Sequence, residues 1–441
     1  MRGLECEEIG SYVPRVLALT SMVGRDRELG GLRERVRDSS IRLLTVTGPP
    51  GVGKSRLVAA AHRESLGDMA ARVRFLDLAA TPGARDLHGV FLESLEVAES
   101  GGEAAADREA LLIIDHGDCF AGEVEGLVTD SLAAHPGLRI ILCGREPLHV
   151  YGERLFVLHP LAVPGAQPPV DLAEFARIAS VRLFLERAAA ARPDLVLTSR
   201  NREIIAELCN RLDGLPLAIE LAAARLRLFE PEALLNRLRA GVDVLRGPAS
   251  HTLSRHHSMN GAIAASYERL AEPEQHLLRR LALFSDDFDL DEAEAVSELP
   301  AGVLHDRLQS LAERGLVHVM AGEDGEPYFS LLNTIRGFAL NEAARTGRVG
   351  ADPVLRPTAA GGGGLAAFRP EVIPLPRLGL THREHQVAVL VAEGMTNRQI
   401  ARQLGIAEWT AVNHVRNVMR KLECSSRVNV ASLIAQAGLT G

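Results

Sequence analysis

The chain has 441 residues, 46% of them hydrophobic and 24% charged, and a formal net charge of −8. Its length exceeds what one ordinary core supports, so about three domains are expected, and its balance of apolar and charged residues excludes a disordered chain. The net acidity excludes a protein that coats nucleic acid over its whole surface. No run of about eighteen apolar residues occurs, and MRGLECEEIG carries acid where a secretory signal carries an apolar stretch. A cytoplasmic protein without membrane contact is therefore expected. The five cysteines, Cys6, Cys119, Cys143, Cys209 and Cys424, are scattered, with no CxxC pair and no histidine cluster at zinc spacing, and are expected to be reduced thiols.

In chain order, IRLLTVTG (Ile41 to Gly48) is a short apolar, β-branched run ending in glycine, and GVGKSRLVAAAHRESL then shows helical spacing. ALLIID (Ala110 to Asp115) and LRIILCG (Leu138 to Gly144) are two further buried-strand candidates with helical patterns between them. This alternation predicts a parallel α/β sheet with helices on both faces over residues 20–165. Beyond about Pro168 the strands stop. DLAEFARIASVRLFLERAAAA and NREIIAELCNRLDGLPLAIELAAARLRL have helical periodicity, predicting a helical domain over 166–253. Residues 254–347 continue as helix and end in GLVHVMAGEDGEPYFSLL, where Asp324 and Gly325 separate two strand-like runs, a hairpin suited to a winged helix. Residues 348–376, with GGGG and five prolines, read as a flexible linker. No repeat of about 20 to 50 residues is evident. Residues 377–441 read as four helices: Arg383 to Glu393, Asn397 to Leu404, Glu408 to Leu422 and Arg427 to Gln436.

GPPGVGKS (Gly48 to Ser55) matches GxxxxGK[ST] between a predicted strand and a predicted helix, the context that makes the pattern specific. Its glycines let backbone N–H groups converge on phosphate oxygens, and the following helix adds its positive N-terminal dipole. Lys54 is expected to reach the β- and γ-phosphates as a compact charge, and Ser55 to ligate Mg²⁺. Among 49 basic residues only Lys54 and Lys421 are lysines, so lysine at 54 has a chemical reason. Asp115 ends an apolar strand, suitably placed to hold the magnesium water shell. His116 stands where a hydrolytic ATPase usually has a second carboxylate, with Asp118 two residues on, so slow hydrolysis is expected. Arg145 ends another strand and is a candidate γ-phosphate sensor, although an exposed arginine after a strand would read the same way. The nucleotide set is therefore Gly48, Gly51, Val52, Gly53, Lys54, Ser55 and Arg56. Lys54, Asp115 and Arg145 carry any catalysis, and Ser55 and Asp115 hold the metal.

From Arg377 to Gly441 there are eight Lys or Arg against four Glu, a basic tail on an acidic body. Its second and third predicted helices, joined by a three-residue turn, form a helix-turn-helix. Ile400, Ala401, Leu404, Ile406, Val412 and Val415 can form its small core. Asn413, Arg416, Asn417 and Arg420 then lie outward, as recognition in the major groove requires. Thr396, Thr410 and Lys421 suit phosphate contacts. With Asn397, Val412 and His414 these residues make up the DNA-binding set. The fourth helix, with Val430, Leu433 and Ile434 on one face, could support a dimer on a two-fold related site. A helical bundle with a solvated basic face is the bland alternative.

Together these residues resemble the STAND class of signal-transduction ATPases of NB-ARC type, joined to a LuxR-type DNA-binding domain. MVGRDREL (Met22 to Leu29) is similar to the family's entry motif, which implies Arg25 beside the nucleotide. GLPLAIELAAARL (Gly214 to Leu226) is similar to its GLPLA motif, which implies Pro216 on adenine or ribose. RHHSMNGAIAASYERLAEPEQHLLRRLALF resembles the start of its winged-helix region, and LTHRE, NRQIARQLGI and NHVRNVMRKL resemble the LuxR-type consensus. The resemblance implies an α/β P-loop NTPase domain followed by helical, winged-helix and four-helix DNA-binding domains. It also implies a protein closed on ADP that opens and self-associates on ATP. Leu332, in SLLNTIRGFA, stands near the histidine of the Met-His-Asp motif of plant and animal members. The linker stands where many relatives carry a helical-repeat sensor. Trp409 and Asn413 replace residues that are often basic. The expected partners are a double-stranded DNA operator, further copies of the chain and RNA polymerase. Three functions remain open: an ATP/ADP-switched regulator, a DNA-binding regulator with a constitutive structural nucleotide, and an NTPase enzyme.

Overall fold

The computed structural model describes residues 21–65, 73–80, 87–89, 91, 110–165, 168–241, 244–245, 258–284, 287–297, 299–321 and 327–346. Toward the C-terminus it describes 382–395, 399–400, 403, 414–415, 418–419, 421–422 and 427–436. Two compact units result, one drawn from residues 1–282, 305–318 and 331–342, the other from 283–304, 319–330 and 343–441. Among the described residues no helix is long and apolar enough to cross a membrane.

The first unit opens with α1 (Asp26–Arg37), whose acidic first turn and basic last turn complement the helix dipole. Then follow β1 (Leu43–Thr47), α2 (Lys54–Ser65), β2 (Val73–Asp77), β3 (Ala110–Asp115), α3 (Ala121–Ala134), β4 (Leu138–Cys143) and β5 (Glu153–Val157). The five strands form one parallel sheet in the order β2-β3-β4-β1-β5. The three strands anticipated from their apolar runs, β1, β3 and β4, are its buried centre. The edges β2 and β5 were not anticipated. On one face Leu112, Ile114, Ile140 and Leu142 pack with Val124 and Val128 of α3 and with Phe91, since alternate side chains of a strand share a face.

Because β4 lies between β1 and β3, the segments that leave these three strands emerge side by side at the C-terminal edge, where parallel sheets carry their ligands. At the opposite end the buried Arg139 of β4 donates to the carbonyls of Val36 (2.5 Å), Asp38 (2.9 Å) and Ile41 (3.1 Å), tying the α1–β1 connection to the sheet. Replacing Arg139 by alanine strands these carbonyls and should lower stability by about 1–3 kcal/mol. Urea unfolding measures this, and an unchanged midpoint would refute it.

Five helices come next: α4 (Leu172–Arg177), α5 (Ala179–Ala191), α6 (Arg202–Arg211), α7 (Pro216–Arg225) and α8 (Pro231–Arg239). Asp171 caps α4 by accepting from the Ala173 N–H at 3.1 Å. Proline opens α7 and α8, where no intrahelical N–H is lost. Ala218, Ala222 and Ala223 of α7 are buried, and this small-residue surface lets α5 approach closely. Two further helices, α9 (Met259–Tyr267) and α10 (Glu272–Leu281), follow.

The chain continues through α11 (Leu290–Ser297), α12 (Ala301–Glu313), β6 (His318–Ala321), β7 (Pro327–Ser330) and α13 (Asn333–Thr346). Asp289 and Glu292 cap α11 reciprocally, each side chain accepting from the other's backbone N–H. β6 and β7 form the two-stranded sheet expected of the hairpin, and its Asp324–Gly325 turn lies outside the described residues. Phe288 bridges to Phe329 and stacks on Phe284.

At the C-terminus α14 (His382–Ala392) packs on α15 (Arg427–Gln436). Val387, Val391, Ile400, Val415, Val418, Val430 and Ile434 are the core there. Val430 and Ile434, read from the sequence as a dimer face, are thus buried in their own domain, because so small a domain needs both to close its core. The predicted second and third helices fall mostly outside the described residues, as do Ala401, Leu404, Ile406 and Val412.

Candidate functional site

The loop after β1 turns on Gly48, at φ 144°, where a Cβ would sit 2.3 Å from the carbonyl oxygen of Leu158. Only glycine fits there. The turn delivers Lys54 to the first position of α2, and its ammonium donates back to the carbonyls of Gly48 (2.7 Å) and Pro49 (3.3 Å). Burial, then the nearby charge of Arg145, pushes Lys54 down to about 8. A phosphate would relieve both effects. The Ser55 hydroxyl donates to Asp115 at 2.9 Å, joining the loop to the end of β3. Burial raises the Asp115 carboxyl, against the opposing effects of His116 and Ser55. A hydroxyl beside a carboxylate is a hard-oxygen pair that fits Mg²⁺ completed by phosphate and water.

Arg25 is buried and donates to the Val52 carbonyl (3.2 Å) and to Glu28 (2.7 Å). Arg25, Val52, Gly53, Arg56 and Pro216, which come from three separate segments, line one pocket, closed on its apolar side by Met22 and Leu183. Arg56 donates to Glu220 (3.2 Å) at its rim, and the Leu217 N–H donates to the Gly51 carbonyl (3.2 Å), fixing α7 to the loop.

His116 adopts a left-handed φ of 58° and places Nδ1 2.8 Å from Asp77 and 3.7 Å from Asp115. Burial lowers the His116 pKa, but the Asp77 hydrogen bond and the Asp115 charge outweigh it, so the net shift is upward. Asp118, which from the sequence could substitute for a second carboxylate, is engaged by Arg145 (3.3 Å) and Arg269. Arg145 also donates to the Ser266 hydroxyl at 2.8 Å, and Arg314 pairs with Glu146 at 3.1 Å. The backbone at Gly315 presses on the loop, so that a Cβ there would come within 2.8 Å of the Pro49 nitrogen.

The sequence reading missed Asp77 and Arg314, which stand in no recognisable motif, and Ser266 and Arg269, which fall in the segment resembling the winged-helix start but carry no role there. It also missed Asp213, which accepts from the backbone N–H groups of Asn333 and Thr334 (2.9 Å each) and from both their side chains (2.8 Å each). Asp213 therefore caps α13 from a loop 120 residues upstream.

In the C-terminal domain Lys421 donates to Glu384 at 2.7 Å, with the carboxylate 6% exposed. A DNA phosphate would have to share this ammonium. Lys421→Met should lower the domain's stability by about 1–2 kcal/mol by leaving a buried carboxylate unpaired. The C-terminal thermal transition of the full chain reports this, and no shift would refute it. His414 is half-buried beside the buried Val415. Thr396, Asn397, Thr410, Val412, Asn413, Arg416, Asn417 and Arg420 lie outside the described residues.

A glycine loop after an interior strand of a parallel sheet, a lysine and serine opening the next helix, and an aspartate ending a nearby strand define a phosphate-binding-loop α/β protein. Residues 378–434 match the luxR family of bacterial regulatory proteins, and residues 270–343 match a winged helix-turn-helix domain. The chain is 30% identical over 350 residues to "Uncharacterized protein Rv0894" of Mycobacterium tuberculosis, spanning 76% of this chain and 84% of that one, and it belongs to the same family. It is also 30% identical over 317 residues to "Putative HTH-type transcriptional regulator Rv0890c" of the same organism, covering 69% of this chain but 34% of that protein. Among solved structures, the STAND protein with a tetratricopeptide repeat sensor from Pyrococcus horikoshii aligns over 95% of this chain and 56% of that one. At 15% identity and a TM-score of 0.27, that likeness carries no argument.

Proposed function

We propose that this chain is an ATP/ADP-switched, DNA-binding transcriptional activator of the cytoplasm that binds its operator as a dimer or higher oligomer. One observation carries the reading: Arg145, beside Lys54 at the edge of the phosphate loop, is bonded to Ser266 of α9. The groups that would feel a terminal phosphate thus already hold a helix outside the sheet, so a change of nucleotide has something to release. Arg25 and Pro216 receive the base and ribose, Lys54 the phosphates, and Ser55 with Asp115 the Mg²⁺. The luxR-type domain supplies DNA binding through the expected set around Asn413, Arg416 and Arg420. The STAND-type domain arrangement and the contact with RNA polymerase belong to the same reading. With His116 where a second carboxylate would polarise water, hydrolysis is slow and serves to reset the switch.

The test uses a duplex selected from a randomised library. Full-length protein should bind it more tightly, and sediment as a larger species, with ATP than with ADP. For ATP to move the population from mostly closed to mostly open, it must favour the open state by about 5 kcal/mol more than ADP does. Equal affinity and equal mass under both nucleotides would sink the switch.

A further inference from the structure

Three guanidinium groups, from Arg145, Arg269 and Arg314, line one small cavity together with Asp118, Glu146 and Ser266. Each arginine comes from a different part of the chain: the end of β4, the turn after α9 and the turn after α12. Arginines converge in this way only where an anion holds them, because unpaired guanidinium groups at short range repel. Here that anion is supplied from within. The Asp118 carboxylate is 7% exposed and takes both Arg145 (3.3 Å) and Arg269. The Lys54 ammonium senses the same charges, Arg145 and Asp118 being the leading electrostatic influences on it. The cluster therefore adjoins the phosphate loop.

We propose that Asp118 is a built-in substitute for the terminal phosphate of ATP, occupying the arginine receptor formed by Arg145 and Arg269 until a γ-phosphate displaces it. The proposal rests on the nucleotide reading of the loop and adds to it the device by which ATP is told from ADP. ADP ends one phosphate short and leaves the Asp118 pairs intact. ATP brings a second anion to the same two guanidinium forks, which match phosphate and carboxylate oxygens alike. Both anions cannot stay, because two like charges sharing one site repel. If the phosphate takes the arginines, Asp118 loses them and Arg145 loses Ser266, so the contact holding α9 is exchanged for a contact with ATP. Asp118 thus lowers the affinity for ATP, its removal from the receptor opposing ATP entry.

This fixes the sign of the test. Asp118→Asn keeps the shape and removes the charge. In the full-length protein it should raise ATP affinity about tenfold and change ADP affinity less than about threefold, within the usual range of coupling between sites. Competition against a fluorescent nucleotide measures both. A second variant guards against misfolding: Arg269→Gln, at an exposed position, should weaken ATP at least about fivefold and leave ADP unchanged. If either folded variant shifts ATP and ADP together, Asp118 is only a structural ion-pair partner and the proposal is overturned. If the wild-type protein binds neither nucleotide, the nucleotide reading fails and this proposal fails with it. Those two failures look different, since the first requires measurable binding.

Discussion

Replacing Lys54 by alanine is expected to weaken ATP and ADP by about 10- to 100-fold, the equivalent of losing one charge-assisted contact worth about 1.5–3 kcal/mol. The nucleotide-free protein should lose little. Burial and Arg145 already disfavour the charged form of Lys54, whose pKa is pushed to about 8, so its removal relieves a cost while forfeiting two bonds to loop carbonyls. Stability without nucleotide should therefore stay within about 1 kcal/mol of wild type. The roughly 2.7 kcal/mol gained by wild type at a hundredfold excess of nucleotide over Kd should disappear. Lys54→Arg should not rescue it, because a planar guanidinium cannot occupy the place of a compact ammonium between two carbonyls. Thermal shifts with each nucleotide decide the matter, and a full shift in the alanine variant would remove Lys54 from the site.

Asp213→Ala is expected to cost about 3 kcal/mol, the loss of a helix cap compounded by stranding the partners of a charged acceptor. The carboxylate satisfies four donors at the start of α13, two from the backbone and two from side chains. Asp213→Asn is the sharper variant. It keeps an acceptor but turns an amide N–H toward a donor, so it should recover only part of the loss. Denaturant unfolding gives the magnitude, and hydrogen exchange at the first turn of α13 gives the place. Protection there that is unchanged in Asp213→Ala would show the cap to be dispensable. Because α7 begins three residues after Asp213, with Pro216, the same loop serves both the helix cap and the candidate base pocket.

The legible part of the fold is the part whose environment is uniform. β1, β3 and β4 are buried along their whole length, so their sequences are mostly apolar, interrupted by Thr45, Thr47 and Arg139 and ending, in β3, at Asp115. The edge strands are not. VRFLD mixes charge with apolar residues at buried and partly buried positions, and ERLFV is largely exposed with only Phe156 buried, so neither short pattern has a clear period. The phosphate loop was legible because its chemistry is local, all of it within Gly48 to Ser55. The arginine cluster was not, because the Asp118 partner Arg269 lies 151 residues away. From the sequence Asp118 reads only as a carboxylate near Asp115 that could substitute in polarising water. Its actual neighbours exist only after α9 has folded against the sheet, and no spacing rule encodes that. The pairing of Lys421 with Glu384 is similar: it joins the third predicted helix of the domain to the first, turning an apparent phosphate ligand into a brace.

The two lysines give this chain an internal chemical readout. Lys54 is tucked against the carbonyls of its own loop and Lys421 against Glu384. An amine-selective acylating reagent therefore meets just two side-chain targets, one at each candidate site. Acylation at Lys54 would report nucleotide occupancy and acylation at Lys421 would report engagement of the luxR-type domain. A protease specific for arginine, which cuts regardless of lysine acylation, would separate the two signals without any label being engineered.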